Sequence, residues 1–150
     1  MQQESGKAGR FGDFSGDVIG ACIQVHRELG PGLLESAYEV CLAHELGLRR
    51  LLFERQVEAP VRYKGIALEF GYRVDFVVER TLVVELKAVE RLLPVHQAQL
   101  LTYLRLLGLP TGLLINFHCA TLKNNIRRLA LKSFPAFPPS CDPPPGSRRH

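Results

Sequence analysis

Residues 71–89 constrain the fold more than any other part of the chain. This segment, GYRVDFVVERTLVVELKAV, contains two apolar runs separated by a short polar turn at residues 79–81. Such dense Val and Phe around a polar turn predict two antiparallel strands. Each strand carries an acid, Asp75 in the first and Glu85 in the second. A charge in so apolar a strand costs free energy unless it is paired or binds a metal, so both acids are candidate site residues.

Strand alternation predicts that the two acids share one face of the sheet. In the first strand, the even-numbered positions from 68 to 78 lie on one face and Asp75 lies on the other. A turn centred on Arg80 sets a register that pairs Asp75 with Glu85 and Arg73 with Lys87. Opposed Cβ atoms lie about 5 Å apart, and two carboxylates that close repel by several kcal/mol. The residues alone leave two explanations open: a structural charge cluster with Arg73 and Lys87, or a divalent cation such as Mg²⁺, which prefers carboxylate oxygens.

The rest of the chain predicts a mixed α/β fold with a central sheet between helices. The hydrophobic spacing and the Gly and Pro punctuation give the element order α-α-β-β-β-α-β, with residues 121–131 ambiguous and an edge strand favoured there. The predicted helices are 16–29, 33–46 with Gly47 as its stop, and about 95–107, and the predicted strands are 53–63, 66–79, 82–89 and 111–117.

Length and composition predict one domain with a tail at each end. The 150 residues, 46% of them hydrophobic, suit a single packed core. We expect a flexible tail over residues 1–14, a domain over residues 15–132, and a disordered Pro-rich tail over residues 133–150. The four scattered cysteines form no Cys-x-x-Cys pair, which argues against a zinc site or a disulfide framework.

Charge and hydropathy favour a protein of the cytoplasm. No apolar run reaches the length of about 18–20 residues that spans a bilayer, and the first residues lack the apolar centre of a secretory signal. The net charge of +4 permits a polyanionic partner without requiring one. The basic pairs Arg49-Arg50 and Arg127-Arg128 suit either phosphate contacts or a solvated surface.

Several motifs together resemble a known family. Asp75 followed by Glu85-Leu86-Lys87 is similar to the signature of the PD-(D/E)XK nuclease superfamily, and the segment GLLESAY at residues 32–38 resembles the motif of the GxxExxY proteins assigned to it. Gln99 and Tyr103 resemble the Q-x-x-x-Y motif of its exonuclease-related branch. Val74 stands where the superfamily name has Pro. The resemblance implies a restriction-endonuclease-like αβββαβ core.

The resemblance also implies roles for particular residues. Asp75, Glu85 and Glu35 are the implied ligands of Mg²⁺ or Mn²⁺, with the Leu86 backbone carbonyl as a further ligand. Lys87 is the implied catalytic lysine, acting on the attacking water or the developing charge. From its position alone, Glu35 also suits the first turn of a helix, where it would favour the helix dipole.

Four further residues are candidates for positioning the substrate. The resemblance implies that Gln99 and Tyr103, which share a helix face, help to orient DNA, although Gln99 also suits a solvent-facing position and Tyr103 the edge of the core. Tyr38 and His96 complete this set, although Tyr38 also suits a packed position with a satisfied hydroxyl, and His96 also suits a structural role. The function implied is a metal-dependent nuclease acting on DNA. There are two alternatives: a non-catalytic module that binds nucleic acid or protein, and a structural protein with an inert charge cluster. Oligomeric state is open.

Overall fold

The computed structural model describes residues 12–68 and 71–131. Over these ranges the chain forms helices on both sides of a central sheet, with a small separate hairpin. The helices are α1 (Ser15–Leu29), α2 (Glu35–Leu48) and α3 (Pro94–Leu107). The strands are β1 (Phe53–Glu58), β2 (Val61–Tyr63), β3 (Ile66–Leu68), β4 (Arg73–Val78), β5 (Leu82–Lys87), β6 (Thr111–Asn116) and β7 (Ile126–Ala130), with a 3-10 turn at Leu122–Asn125.

The central sheet is mixed, as predicted. Its five strands lie in the order β1-β4-β5-β6-β7. Neighbours pair antiparallel except β5 and β6, which run parallel because α3 connects them across one face. The β2–β3 hairpin forms a separate two-stranded sheet. The edge strand expected within residues 121–131 is β7, so that prediction is confirmed.

Helices cover both faces of the sheet and create two cores. One core joins α1 and α2 to the sheet and includes Tyr38, Phe76 and Phe117. The other joins α3 to the opposite face and includes Leu100 and Leu104. Strand β5 is buried along almost its whole length, which explains why its sequence is a nearly continuous apolar run.

Two predicted strands are each divided in two. Residues 53–63 form β1 and β2, and residues 66–79 include β3 and β4, which belong to different sheets. Pro60 stands between β1 and β2, and Gly71 at a φ of 70° precedes β4. Proline cannot donate to a ladder and glycine accepts positive φ readily, so these two residues bracket the hairpin.

Helix α2 is displaced by two residues from its predicted position. It begins at Glu35, because Leu34 has extended backbone angles, and it continues through Gly47 to Leu48. The expected stop at Gly47 is therefore wrong, and the turn falls at Arg50, whose φ is 61°. Tyr38, Leu42 and Leu46 are the buried residues of α2, whereas Leu34 and Leu48 at its two ends are exposed.

The described fold reaches into the expected N-terminal tail. Asp13 is buried and pairs with Arg128, and Phe14 packs on the α1–α2 core. The remaining tail predictions fall on residues 1–11 and 132–150, outside the described residues. No helix in the described part of the chain has the length and hydropathy that a bilayer span requires.

Candidate functional site

The candidate site lies where β4 and β5 separate. The two strands pair from Val78–Leu82 to Phe76–Val84, which confirms the predicted register, and the ladder ends one pair before Asp75 and Glu85. Beyond this point the Asp75 side chain replaces the backbone pairing, because its Oδ2 accepts a hydrogen bond of 2.8 Å from the Leu86 N–H. A carboxylate therefore occupies the place of a backbone acceptor.

Asp75 also interrupts the pairing of β4 with β1. The ladder continues on either side but omits Gln56, the residue opposite Asp75, whose φ is 50°. Val74 packs in the α3 core while Phe76 packs in the α1–α2 core. The predicted single face for positions 68–78 is therefore wrong, since regular alternation stops at the site.

Glu85 is buried, and Asp75 is half-buried and close to it. Glu85 Oε2 has no hydrogen-bond partner among the described residues. Burial and then the negative charge of Asp75 raise the pKa of Glu85 to about 9, and Lys87 offsets only part of this. Burial also raises the pKa of Asp75, the Leu86 N–H opposes this, and the Glu39 carboxylate adds to it. Without a cation, Glu85 therefore keeps its proton at neutral pH.

A hydrogen-bonded chain connects Asp75 to α2. Gln56 Nε2 donates to Asp75 Oδ1 at 3.3 Å and to both carboxylate oxygens of Glu39 at 3.0 and 3.1 Å. Arg55 Nε donates to Glu39 Oε2 at 3.1 Å. The positive φ of Gln56 is the local strain that accompanies this contact, because such a conformation is uncommon for residues other than glycine.

The end of β5 is fixed by contacts on both sides of Lys87. Glu35 Oε2 accepts a bond of 3.2 Å from the Ala88 N–H, and the Phe117 N–H donates to the Lys87 carbonyl at 2.9 Å. The buried Asn116 side chain accepts from the Val89 N–H at 3.0 Å and donates to its carbonyl at 2.9 Å. These contacts fix the position of the backbone at Lys87.

Helix α3 brings Tyr103 to the acids. Tyr103 is 8% exposed, and burial raises its pKa, with the charge of Glu85 and then the neighbouring Tyr72 and Asp75 as further causes. Gln99, one turn earlier, is exposed. His96 lies near the start of α3, where its Nδ1 accepts a hydrogen bond of 2.9 Å from the Leu93 N–H and caps the helix.

Tyr38 has a structural position instead of one facing a substrate. It is 0% exposed. Its hydroxyl donates to the Gly30 carbonyl at 2.6 Å and accepts from the Leu33 N–H at 3.2 Å. Its ring stacks on Phe117, with 4.4 Å between centroids. Tyr38 therefore holds the turn between α1 and α2, and direct contact with a substrate is not supported.

The pair of acids fits a divalent cation that keeps most of its water. Glu85 Oε2 is a buried oxygen without a partner, and two neighbouring carboxylates are the donors that Mg²⁺ usually takes from a protein. In the described residues, no three His, Cys, Asp or Glu side chains are grouped as a metal site. Glu35 is thus not joined to the pair, and its Oε2 is engaged by Ala88.

The fold and the site define a restriction-endonuclease-like α/β protein with two acids and a lysine at the separation of two strands. The chain belongs to the PD-(D/E)XK nuclease superfamily, whose family model matches residues 12–129. Nucleases of this superfamily generally use divalent metals. No match was found among curated proteins, and none among solved structures.

Sequence reasoning missed three residues that support the site. Glu39 lies one helical turn after Glu35, which was a usable signal. Asn116 interrupts the end of an apolar run, a second signal, because buried polar side chains require partners. Gln56 gave no such signal, because nothing in the sequence distinguishes it from an ordinary polar strand residue.

Proposed function

We propose that this protein is a metal-dependent nuclease that hydrolyses phosphodiester bonds, with DNA as the substrate and Asp75 and Glu85 holding Mg²⁺ or Mn²⁺. The observation that carries the proposal is the closeness of half-buried Asp75 to buried Glu85, whose Oε2 lacks a hydrogen-bond partner among the described residues. A bound cation would offset the burial and the repulsion from Asp75 that together keep Glu85 protonated. We also infer membership of the GxxExxY proteins, on the Gly32, Glu35 and Tyr38 positions.

Each side chain has a role that follows from its surroundings. A divalent ion polarises a phosphoryl oxygen and lowers the pKa of a bound water. Asp75 is oriented by the Leu86 N–H and Gln56. Lys87 supplies positive charge beside the acids for the extra negative charge of the transition state. The Leu86 carbonyl and Glu35 remain predicted further ligands, of which Glu35 requires a change of partner.

The α3 residues are proposed to contact the substrate. The Tyr103 hydroxyl is protonated at neutral pH like that of any tyrosine, and burial raises its pKa further, so it can donate a hydrogen bond to a phosphate. Gln99 is exposed one turn away and is proposed to orient the DNA strand. His96 is proposed to reach phosphate only if it releases the Leu93 N–H.

A cleavage assay tests the proposal. The purified protein is incubated with single- and double-stranded DNA in Mg²⁺, Mn²⁺ or EDTA. We expect metal-dependent cleavage by the wild type and a loss of about 100-fold or more in Lys87→Ala. Arg105→Ala is the matched control, since it removes an exposed cation near the far end of α3. Metal-dependent cleavage that survives in Lys87→Ala would overturn the mechanism.

One observation favours a second candidate, a non-catalytic module that binds nucleic acid or protein. The acids form a pair without a third grouped ligand in the described part of the chain, and Glu85 is stable as a neutral acid in the absence of metal. Calorimetric titration with Mn²⁺ separates the two candidates. Binding at millimolar or lower concentration supports the nuclease, whereas no binding by the wild type supports the module.

A further inference from the structure

The β2–β3 hairpin is an exposed two-stranded sheet separate from the central sheet. Lys64 and Gly65 connect the strands with φ values of 48° and 87°, the signature of the tight turn that suits a two-residue hairpin. The register pairs Tyr63 with Ile66 beside this turn. Both side chains are exposed to solvent, Tyr63 by 61% and Ile66 by 60%.

The hairpin emerges at the end of the sheet that carries the site. It joins the end of β1 to the start of β4, two residues before Asp75. The Ala59 N–H donates to the Tyr72 carbonyl at 2.8 Å, which ties the base of the hairpin together. Tyr72 lies close enough to Tyr103 to affect its pKa, as do the site acids. The hairpin is therefore joined directly to the strand that carries Asp75.

The charge of the hairpin favours a polyanion. Residues 61–68 include Arg62 and Lys64 and no acid. Lys64 Nζ lies 5.4 Å from the centre of the Tyr63 ring, so a cation stands beside an exposed aromatic face. Phosphates pair with such cations, and unpaired bases stack on such rings. A stable protein interface buries about 800 Å² on each partner, more than two displayed side chains provide.

We propose that the β2–β3 hairpin binds an unpaired nucleic-acid strand and guides it to the Asp75–Glu85 site. One base stacks on Tyr63, and the neighbouring phosphates contact Arg62 and Lys64. This inference rests on the proposed nuclease function, because the strand is guided to the proposed nuclease site. It adds that the substrate is single-stranded. A paired duplex base cannot offer its face to Tyr63, so the duplex is expected to bind less tightly.

Fluorescence anisotropy of the full chain tests the proposal without cleavage. The probe is labelled oligodeoxythymidine in EDTA, with a duplex of the same length as the comparison. Tyr63→Ala is expected to weaken single-strand binding by about 5- to 150-fold, the usual range for one stacked base. Tyr63→Phe keeps the ring and is expected to bind like the wild type. The duplex affinity is expected to change little in either variant.

Salt dependence tests the two cations of the hairpin independently of Tyr63. The double variant Arg62→Gln and Lys64→Gln is expected to lower the slope of log affinity against log salt by about 1.4, because each single-strand phosphate contact contributes about 0.7. Arg105→Gln is the matched control and should keep the wild-type slope. Circular dichroism checks that each variant is folded, which is expected because the altered side chains are exposed.

The outcomes separate this proposal from the nuclease proposal. Wild-type affinity in Tyr63→Ala, or an equal loss for single strand and duplex, overturns the hairpin proposal even if the protein cleaves DNA. A selective loss supports it even if no metal-dependent cleavage is found. A change in the mass of the protein in Tyr63→Ala, measured by light scattering, with unchanged DNA affinity would assign the hairpin to a second copy and overturn the proposal.

Discussion

Glu85 and Asp75 place two acidic groups inside a sheet that is otherwise apolar. The buried position of Glu85 is unfavourable for a charge, and the neighbouring Asp75 makes it more so. The fold accommodates the pair because the raised pKa of Glu85 leaves this acid neutral in the absence of a cation. The same features leave an oxygen of Glu85 without a partner in the described residues, which is the position a cation would occupy.

The raised pKa of Glu85 predicts how stability depends on pH in metal-free protein. The folded pKa is about 9 and the ordinary value is 4.5, so between these values the folded state retains a proton that the unfolded state has lost. Stability therefore falls as pH rises through this window, by at most about 1.4 kcal/mol per pH unit from this group. Glu85→Gln removes this dependence and is expected to be more stable at pH 8 by about 1–3 kcal/mol.

Urea unfolding in EDTA from pH 5 to pH 9 measures this difference. Asp75 and Glu85 shift each other's pKa, so the difference between the two slopes reports this coupled pair. The exposed acid variant Glu54→Gln serves as the control and should follow the wild type. Parallel curves for wild type and Glu85→Gln would show that Glu85 ionises normally in the fold.

Gln56 is expected to act on metal affinity more than on stability. Gln56→Asn keeps an amide and tolerates positive φ, but its shorter side chain cannot bridge Glu39 and Asp75. Partners that orient a ligand typically change metal affinity by 10- to 100-fold. We expect Mn²⁺ affinity to fall by about 10-fold by calorimetry with an unchanged melting temperature. Gln24→Asn on α1, which alters an exposed bond to Glu28, is the control, and equal Mn²⁺ affinity in all three proteins would contradict the role.

At the scale of elements, the apolar runs and Gly and Pro positions were sufficient to predict most of the sheet. The register of β4 and β5 followed from the turn at Arg80 and was correct. The division of the two long strands was not predicted, although Pro60 and Gly71 carried the signal. The end of regular alternation at Asp75 had no local signal, because it arises when a side chain, Asp75, replaces the backbone partner of Leu86.

Helix α3, which carries Tyr103, packs closely on β6. A Cβ on Gly112 would lie 3.0 Å from Leu100 Cδ1, and the next two nearest atoms also belong to Leu100. Leu100 is 1% exposed and held in the α3 core, so it has little room to move. Gly112→Ala is therefore expected to destabilise the fold by about 1–3 kcal/mol.

A double-mutant cycle tests this close contact. Leu100→Ala alone leaves a cavity and is expected to cost about 2–5 kcal/mol. If the new methyl clashes with Leu100, the double variant will be less destabilised than the sum of the two single variants. Urea unfolding provides the four free energies. Strict additivity would show that Gly112→Ala acts through something other than Leu100.

At the scale of the whole molecule, the α/β class and the layer order were predictable, whereas contacts between distant segments were not. The pair Arg127-Arg128 suited phosphate binding or a solvated surface, and Asp13 fell within an expected tail. In the fold, Arg128 Nη2 lies 2.6 Å from Asp13 Oδ2. An ion pair between residues 115 positions apart depends on the completed sheet, and neither local sequence reveals it.

This ion pair predicts an acid-sensitive connection between the start of α1 and the edge strand β7. Burial alone would raise the pKa of Asp13, but hydrogen bonds from Ser15 and Arg128 outweigh it and lower the pKa below 3.8. The folded state therefore favours ionised Asp13, and its contribution is present above the ordinary pKa and is lost as pH falls through the folded value. Arg128→Gln leaves a buried carboxylate without its cation and is expected to cost about 1–3 kcal/mol at pH 7.

Urea unfolding at pH 7 and near pH 3 checks this prediction, because the cost of Arg128→Gln should shrink as Asp13 gains a proton. Arg127→Gln is the matched control: Arg127 is exposed, and its Nη1 donates to the Asn124 and Ile126 carbonyls at 3.3 and 3.2 Å. It is expected to change stability by less than about 0.5 kcal/mol at either pH. The same loss in both variants, or a cost for Arg128→Gln that is equal at the two pH values, would show that the ion pair does not join α1 to β7 energetically.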